Sequence, residues 1–175
     1  MTGRIFTADH HVYDLPPLLS WNVRHTGTVP CDSWSVTAVY QPEMLTVLRM
    51  AAGFAAIENG MTQLRGIVDE YTVELGSRGM TVTLSGRGYA ARLLDNESRP
   101  VTYEQVTLRE LIRCHAEPYG ISCEAAVDLR STVPYTAGVG ISQWKVISEF
   151  CRTYGGFLPR FVKTGELLAT PEQDS

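Results

Sequence analysis

No Cys-x-x-Cys pair occurs among the four cysteines, Cys31, Cys114, Cys123 and Cys151, which excludes a zinc ribbon or a redox motif of that spacing. Reduced and mostly buried thiols are the expectation. Cys114 stands beside His115, but adjacent helical positions point about 100° apart and do not share one site. The longest apolar stretch, Met44 to Ile57, is interrupted by Arg49 and falls short of the roughly 20 residues of a membrane span. The N-terminus has no basic segment followed by an apolar run and a small-residue cleavage site, so Sec export is not expected. There is no excess of positive charge either. Fifteen Lys and Arg against 19 Asp and Glu leave a net charge of -4, which argues against a dedicated surface for nucleic acid or anionic lipid.

Chemical motifs are equally sparse. The glycine-containing run Leu84-Ser-Gly-Arg-Gly-Tyr89 invites comparison with a phosphate loop, yet it lacks the Lys and the full set of glycines that such a loop needs. Asp69 and Glu70 are neighbours in a strand pattern and point to opposite faces, so they do not converge as a carboxylate pair; both are expected as solvated hairpin charges. Asp95-Asn-Glu-Ser98 lacks the Gly and distal Glu of a calcium loop and reads as a turn and cap. His10 and His11 have no Cys or carboxylate partner at ligand spacing, and no serine sits in Gly-x-Ser-x-Gly. No catalytic residue, metal ligand or cofactor is expected. Arg87 and Arg92, flanking the glycine break, are the candidates for contact with an acidic group of a partner.

What is present is a pattern for secondary structure. An apolar fraction of 44% over 175 residues is enough for a core. Leu19, Trp21 and Val23 alternate with polar residues, as do Trp34, Val36, Ala38 and Tyr40, so two strands with one buried face each are expected around the loop His25–Asp32. All three tryptophans, Trp21, Trp34 and Trp144, fall on apolar phases and are expected in the core. Pro42 and Glu43 open a short helix, Gly53–Glu58 reads as a strand, and Asn59-Gly60 is a hairpin turn. A strand toward Ile67 and Val68 follows, then a hairpin of Tyr71–Leu75 with Met80–Leu84 around Gly76–Gly79. About six strands therefore precede residue 90, spaced as in a small antiparallel barrel or sandwich. Gly86 and Gly88 read as the corner where this β-rich part ends.

Beyond Pro100 the period changes. Thr107-Leu-Arg-Glu110 is a capping box, and the helix it opens carries Leu108, Leu111, Ile112 and His115 on one face until Pro118 and Gly120. A strand over Ile121 to Val127, a second helix capped by Ser142 and stopped at Gly155-Gly156, and a hairpin of Phe157–Val162 with Glu166–Ala169 complete the pattern. The expected fold class is α+β, with an antiparallel β-barrel-like domain over residues 1–99 and a smaller α+β subdomain over 100–175. Thr170–Ser175 reads as the start of a further segment.

The order Val29-Pro-Cys-Asp-Ser-Trp-Ser-Val36, Gly66-Ile-Val-Asp-Glu70, Ser85–Glu97, Thr107-Leu-Arg-Glu-Leu-Ile112, Pro118-Tyr-Gly-Ile121 and Tyr154-Gly-Gly-Phe157 resembles the baseplate hub proteins of contractile phage tails. That family includes the Mu-like hub and late control D proteins and shares its plan with type VI secretion spikes. Its members are longer, so the resemblance makes this chain their N-terminal part. It implies small β-barrel domains around an axis, self-association as a trimer, and coaxial docking of a tail tube on one side and a spike on the other. It also implies assembly in a bacterial cytoplasm and residence in the tail baseplate. An antiparallel half without clustered chemistry suits a component whose work is shape and self-association. The competing classes are a baseplate-carried cell-wall hydrolase, which requires converging carboxylates or a metal cluster, and a small-barrel binder of oligosaccharide or single-stranded nucleic acid, which requires exposed aromatics and Arg on one strand face.

Overall fold

A computed structural model describes residues 1–27, 29–77 and 79–172. Thr28 of the expected His25–Asp32 loop, Arg78 of the expected Gly76–Gly79 turn and residues 173–175 of the expected C-terminal segment lie outside the described residues. The fold is α+β, and the chain divides into two compact units, Met1–Tyr89 with Lys163–Gly165, and Ala90–Val162 with Glu166–Ser175.

The first unit carries strands β1 (Thr2–Thr7), β2 (Val12–Asp14), β3 (Leu18–Arg24), β4 (Ser33–Val39), β5 (Ala51–Glu58), β6 (Met61–Gly76) and β7 (Gly79–Gly88), with helix α1 (Met44–Arg49) between β4 and β5. They form one antiparallel sheet of seven strands in the order β2-β1-β5-β6-β7-β4-β3. The two end strands, β2 and β3, are consecutive in the chain and joined only by Leu15-Pro-Pro17. Laid flat, the sheet would hold its ends about 29 Å apart, whereas that linker reaches about 14 Å. The sheet therefore curls, bringing the end of β2 and the start of β3 near each other although the two strands do not pair. Accordingly the Leu15 N–H donates to the Gly3 carbonyl oxygen at 2.9 Å, and a Cβ added to Gly3 would lie 2.8 Å from Leu15 Cδ1 and 3.5 Å from Leu18 Cδ2.

Alternation fills the interior. Ile5, Trp34, Val36, Ala38, Phe54, Ala56, Leu64, Val82 and Leu84 point inward, and α1 adds Met44 and Leu48. Asn59 and Gly60 take φ of 52° and 78°, the left-handed pair a tight hairpin turn requires. Two expectations are corrected. The residues before and after Val68 form one 16-residue strand, β6, because Asp69 is accommodated as a bulge opposite β7 instead of breaking it. Trp21 is 49% exposed and Leu19 58%. Leu19 is the extra residue of a register shift against β4. Trp21 lies opposite the buried Val36, but on an end strand with no strand paired to its other edge among the described residues.

The second unit contains α2 (Ala91–Leu94), β8 (Val101–Tyr103), α3 (Leu108–His115), β9 (Cys123–Ala126), β10 (Tyr135–Ala137), α4 (Gln143–Phe150), β11 (Arg160–Phe161) and β12 (Leu167–Ala169). The Thr107/Glu110 capping box forms in full, and Ser142 caps α4 by accepting from the Lys145 N–H at 3.2 Å. β11 and β12 make the expected terminal hairpin, and β12 also pairs in parallel with β9. Leu108, Leu111, Ile112, Trp144, Val146, Ile147 and Phe150 are buried. Past Phe150 the helix continues as a π-helical turn, Cys151–Gly155, closed by Gly156 at φ 71°.

Candidate interaction surface

The glycine-broken strand has a different role from the corner expected of it. β7 runs unbroken through Gly86 to Gly88, and neither glycine is among those with positive φ. Gly86 and Gly66 are instead sites of close approach. A Cβ on Gly86 would lie 2.0 Å from the Ile67 carbonyl oxygen and 2.9 Å from Trp34 Cζ2, and one on Gly66 would lie 2.2 Å from the Arg87 carbonyl oxygen. Both bare positions admit the indole of Trp34, which stacks on Phe54 at 3.8 Å between centroids and donates Nε1–H to the Ile67 carbonyl oxygen at 3.1 Å.

Just beyond this point, the bulge turns Asp69 to meet Arg87. Arg87 Nε and Nη2 donate to the two carboxylate oxygens at 2.9 and 3.0 Å, a two-pronged bond that orders both side chains. Glu70 accepts from the Ser85 hydroxyl at 3.0 Å. Asp69 and Glu70 are thus both bonded across the β6–β7 hairpin, as hairpin residues and not as a convergent pair. Arg92, in the second unit, donates from Nη1 to the Tyr119 carbonyl oxygen at 3.2 Å. Each of the two candidate arginines is engaged within its own unit.

In the second unit the buried polar groups form one network. His115, 5% exposed, lies 2.6 Å from Gln143 Oε1 through Nδ1 and 3.0 Å from the Tyr103 hydroxyl through Nε2. The Gln143 amide nitrogen donates to the Glu97 carbonyl oxygen and the Tyr119 hydroxyl. Gln143 Oε1 therefore accepts from Nδ1–H, and in the neutral imidazole Nε2 accepts from Tyr103. Every polar atom is satisfied, as a structural histidine requires. Nothing in the sequence joined Tyr103, His115 and Gln143, which lie on three separate elements.

The cysteines divide, with Cys151 buried and Cys31 and Cys114 exposed, so the expectation of mostly buried thiols holds for only part of the set. All four are free. Burial pushes the Cys151 thiol from 9.0 up to about 12 and the Tyr135 phenol from 10.0 up to about 12. Between about pH 9 and pH 12 the unfolded chain releases these protons while the folded chain holds them, so the folded state binds more protons and stability falls as pH rises. Thermal unfolding followed across that window should show a falling midpoint. Cys151→Ala should flatten the slope, although it lowers the midpoint at neutral pH.

Among the described residues no group of three or more His, Cys, Asp or Glu is placed to hold a metal ion, and no helix is long and apolar enough to cross a membrane. A groove of about 370 Å³ runs beside the outer edge of β9, lined by Arg109, Ile112, Glu117, Cys123 and Ala125 among others. Burial raises the Cys123 thiol there, which makes it a poor nucleophile.

Among the described residues, strand edges of the first unit are left unpaired. β6 pairs with β5 only as far as Ile67, so Glu70–Gly76 is bonded to β7 on one side alone. Among the described residues β3 pairs with β4 alone. Exposed apolar side chains accompany both edges, with Leu75 at 80% and Trp21 at 49%. Sequence patterning identified the strands but not these edges, because pairing partners are set by topology.

No family model matches the chain, and no curated protein matches it. Two solved structures are similar along nearly all of it. The tail protein from Neisseria meningitidis MC58 aligns with 95% of this chain and 50% of its own, at a TM-score of 0.70 and 14% identity. The 43 kDa tail protein of prophage MuSo2 from Shewanella oneidensis aligns with 100% of this chain and 56% of its own, at a TM-score of 0.72 and 15% identity. The chain thus shares the fold of part of these two tail proteins and spans about half their length.

Proposed function

We propose that the chain is a structural component of a phage-type tail, acting at the baseplate hub of a contractile tail where the tube meets the central spike. The observation that carries this reading is the likeness of both units, along nearly the whole chain, to two tail proteins. The residues agree with a mechanical role. Asp69, Glu70, Arg87 and Arg92 are bonded within the fold, and the buried polar network of the second unit is closed on itself. In this reading the first unit self-associates, as a trimer in the complete protein, and tube and spike dock on opposite sides of the ring. Arg87 and Arg92 are proposed as contacts for acidic groups of those partners, each ordered by its bond to Asp69 or to the Tyr119 carbonyl oxygen.

Deleting the coding sequence in its host should abolish assembled tails, with tube and spike proteins left unjoined, and expression of the full-length protein should restore them. Normal tails in the deletion strain would overturn the proposal. So would turnover of peptidoglycan by the purified chain that is lost on changing Asp69 or Glu70 to alanine, because it would assign the chain to the hydrolases.

A further inference from the structure

The groove of the second unit has a strand edge on one side and α3 on the other. In the order β11-β12-β9, β9 is an end strand, and among the described residues no strand pairs with its outer edge. Its inner edge is spent on β12, through the bond from the Leu167 N–H to the Ser122 carbonyl oxygen at 2.9 Å and the bond from the Val127 N–H to the Ala169 carbonyl oxygen at 3.0 Å. Alternation after Ser122 turns the N–H and C=O of Cys123 to the open side. The chain reverses at Gly120, φ 72°, so β9 runs back along α3. The Leu108 N–H accordingly bonds to the Leu129 carbonyl oxygen at 3.0 Å, past the end of β9, whereas Glu117 opens the single turn Glu117–Tyr119 that leads toward its start. Arg109 therefore marks the far end of the groove and Glu117 the near end, about 12 Å apart at the helical rise, with the apolar Ile112 between them. Both charged side chains are exposed, and neither makes an ion pair or a side-chain hydrogen bond among the described residues.

We propose that this groove binds an extended peptide segment of a partner protein, which adds to β9 as an antiparallel strand and carries an acidic, an apolar and a basic residue, in that order, at alternate positions. The strand edge selects a peptide, because its open N–H and C=O groups are matched by another backbone. Antiparallel pairing is the more stable of the two directions. A segment running that way begins beside Arg109 and ends beside Glu117, so its acidic residue comes first and its basic residue last. Alternate residues share one face, and the first and fifth of five span about 14 Å, close to the separation of Arg109 and Glu117. The third residue then faces Ile112. Glu117 and Glu124 in the lining repel a nucleic acid. The inference does not rest on the tail reading and goes beyond it, by giving the second unit a ligand of its own.

Fluorescence anisotropy and amide hydrogen exchange on the purified 175-residue chain test it together. The probes are a labelled peptide containing Glu-Thr-Val-Thr-Arg and another containing Arg-Thr-Val-Thr-Glu, each flanked by Gly and Ser. The first should bind at least about tenfold more tightly than the second, which sets like charges against each other, and should slow exchange over Cys123–Ala126. Arg109→Glu and Glu117→Arg combined in one chain should invert the preference. Both side chains are exposed, and circular dichroism checks that the variant folds. Failure of both peptides to bind, equal binding of the two, an unchanged preference in the variant, or protection confined to other segments would each overturn the proposal. So would protection of Cys123–Ala126 that rises with protein concentration in the absence of peptide, because it would give the groove to a second copy. The tail reading, tested by assembly of tails in the host, survives each of these results.

Discussion

Gly86→Ala is expected to prevent the first unit from folding, or to destabilise it by more than about 3 kcal/mol, within the range reserved for strain that a core cannot relieve. The added methyl would lie 2.0 Å from the Ile67 carbonyl oxygen and 3.0 Å from its carbon. Both are backbone atoms of the neighbouring strand, so no side-chain rotation relieves the clash. Moving the backbone would withdraw the Ile67 carbonyl oxygen from the Trp34 indole N–H. Gly27→Ala is the control, since nothing lies within 4 Å of its added methyl, and it should leave stability unchanged to within about 0.5 kcal/mol. Urea unfolding followed by tryptophan fluorescence checks both. A Gly86→Ala chain as stable as the parent would mean that β6 and β7 do not approach as described.

The second large effect falls on Trp34. Trp34→Ala should cost about 3–5 kcal/mol, as loss of a large buried aromatic does, because the indole is 3% exposed and stacked on Phe54. Trp34→Phe separates the contributions. It keeps a ring against Phe54 and should cost about 1–3 kcal/mol, chiefly for the Ile67 carbonyl oxygen left without its donor. Equal losses for the two variants in urea unfolding would show that the hydrogen bond, and not the packing, dominates this site.

These two residues also mark what was legible in the sequence. Trp34, Val36, Ala38, Val82 and Leu84 were assignable to the core because strand alternation depends only on neighbours along the chain. The capping box at Thr107 and the Asn59-Gly60 turn were legible for the same reason. Gly86 was recognised as special for the wrong cause. Glycine serves both a bend and a close approach, and only the register against Gly66 and Ile67 distinguishes the two. Trp21 shows the limit from the other side, since its phase was correct but its burial depends on whether another strand lies beyond β3. Likewise the parallel pairing of β9 with β12, some 40 residues apart, leaves no periodic trace.

The candidate surface was legible in part. Arg87 and Arg92 were singled out, and both proved to be bonded within the chain. The β6 edge was hidden because the bulge at Asp69 made one long strand look like two short ones. Its importance follows from where β5 stops pairing, a fact of topology that no local pattern encodes.

The most direct measurement of the central claim is the protein content of purified tail particles from a host that carries this sequence, quantified by mass spectrometry against the tube and spike proteins. The tail reading predicts that the protein is present in the particles, in fixed and low ratio to the spike, and remains after salt washing. Its absence from intact particles would contradict the account.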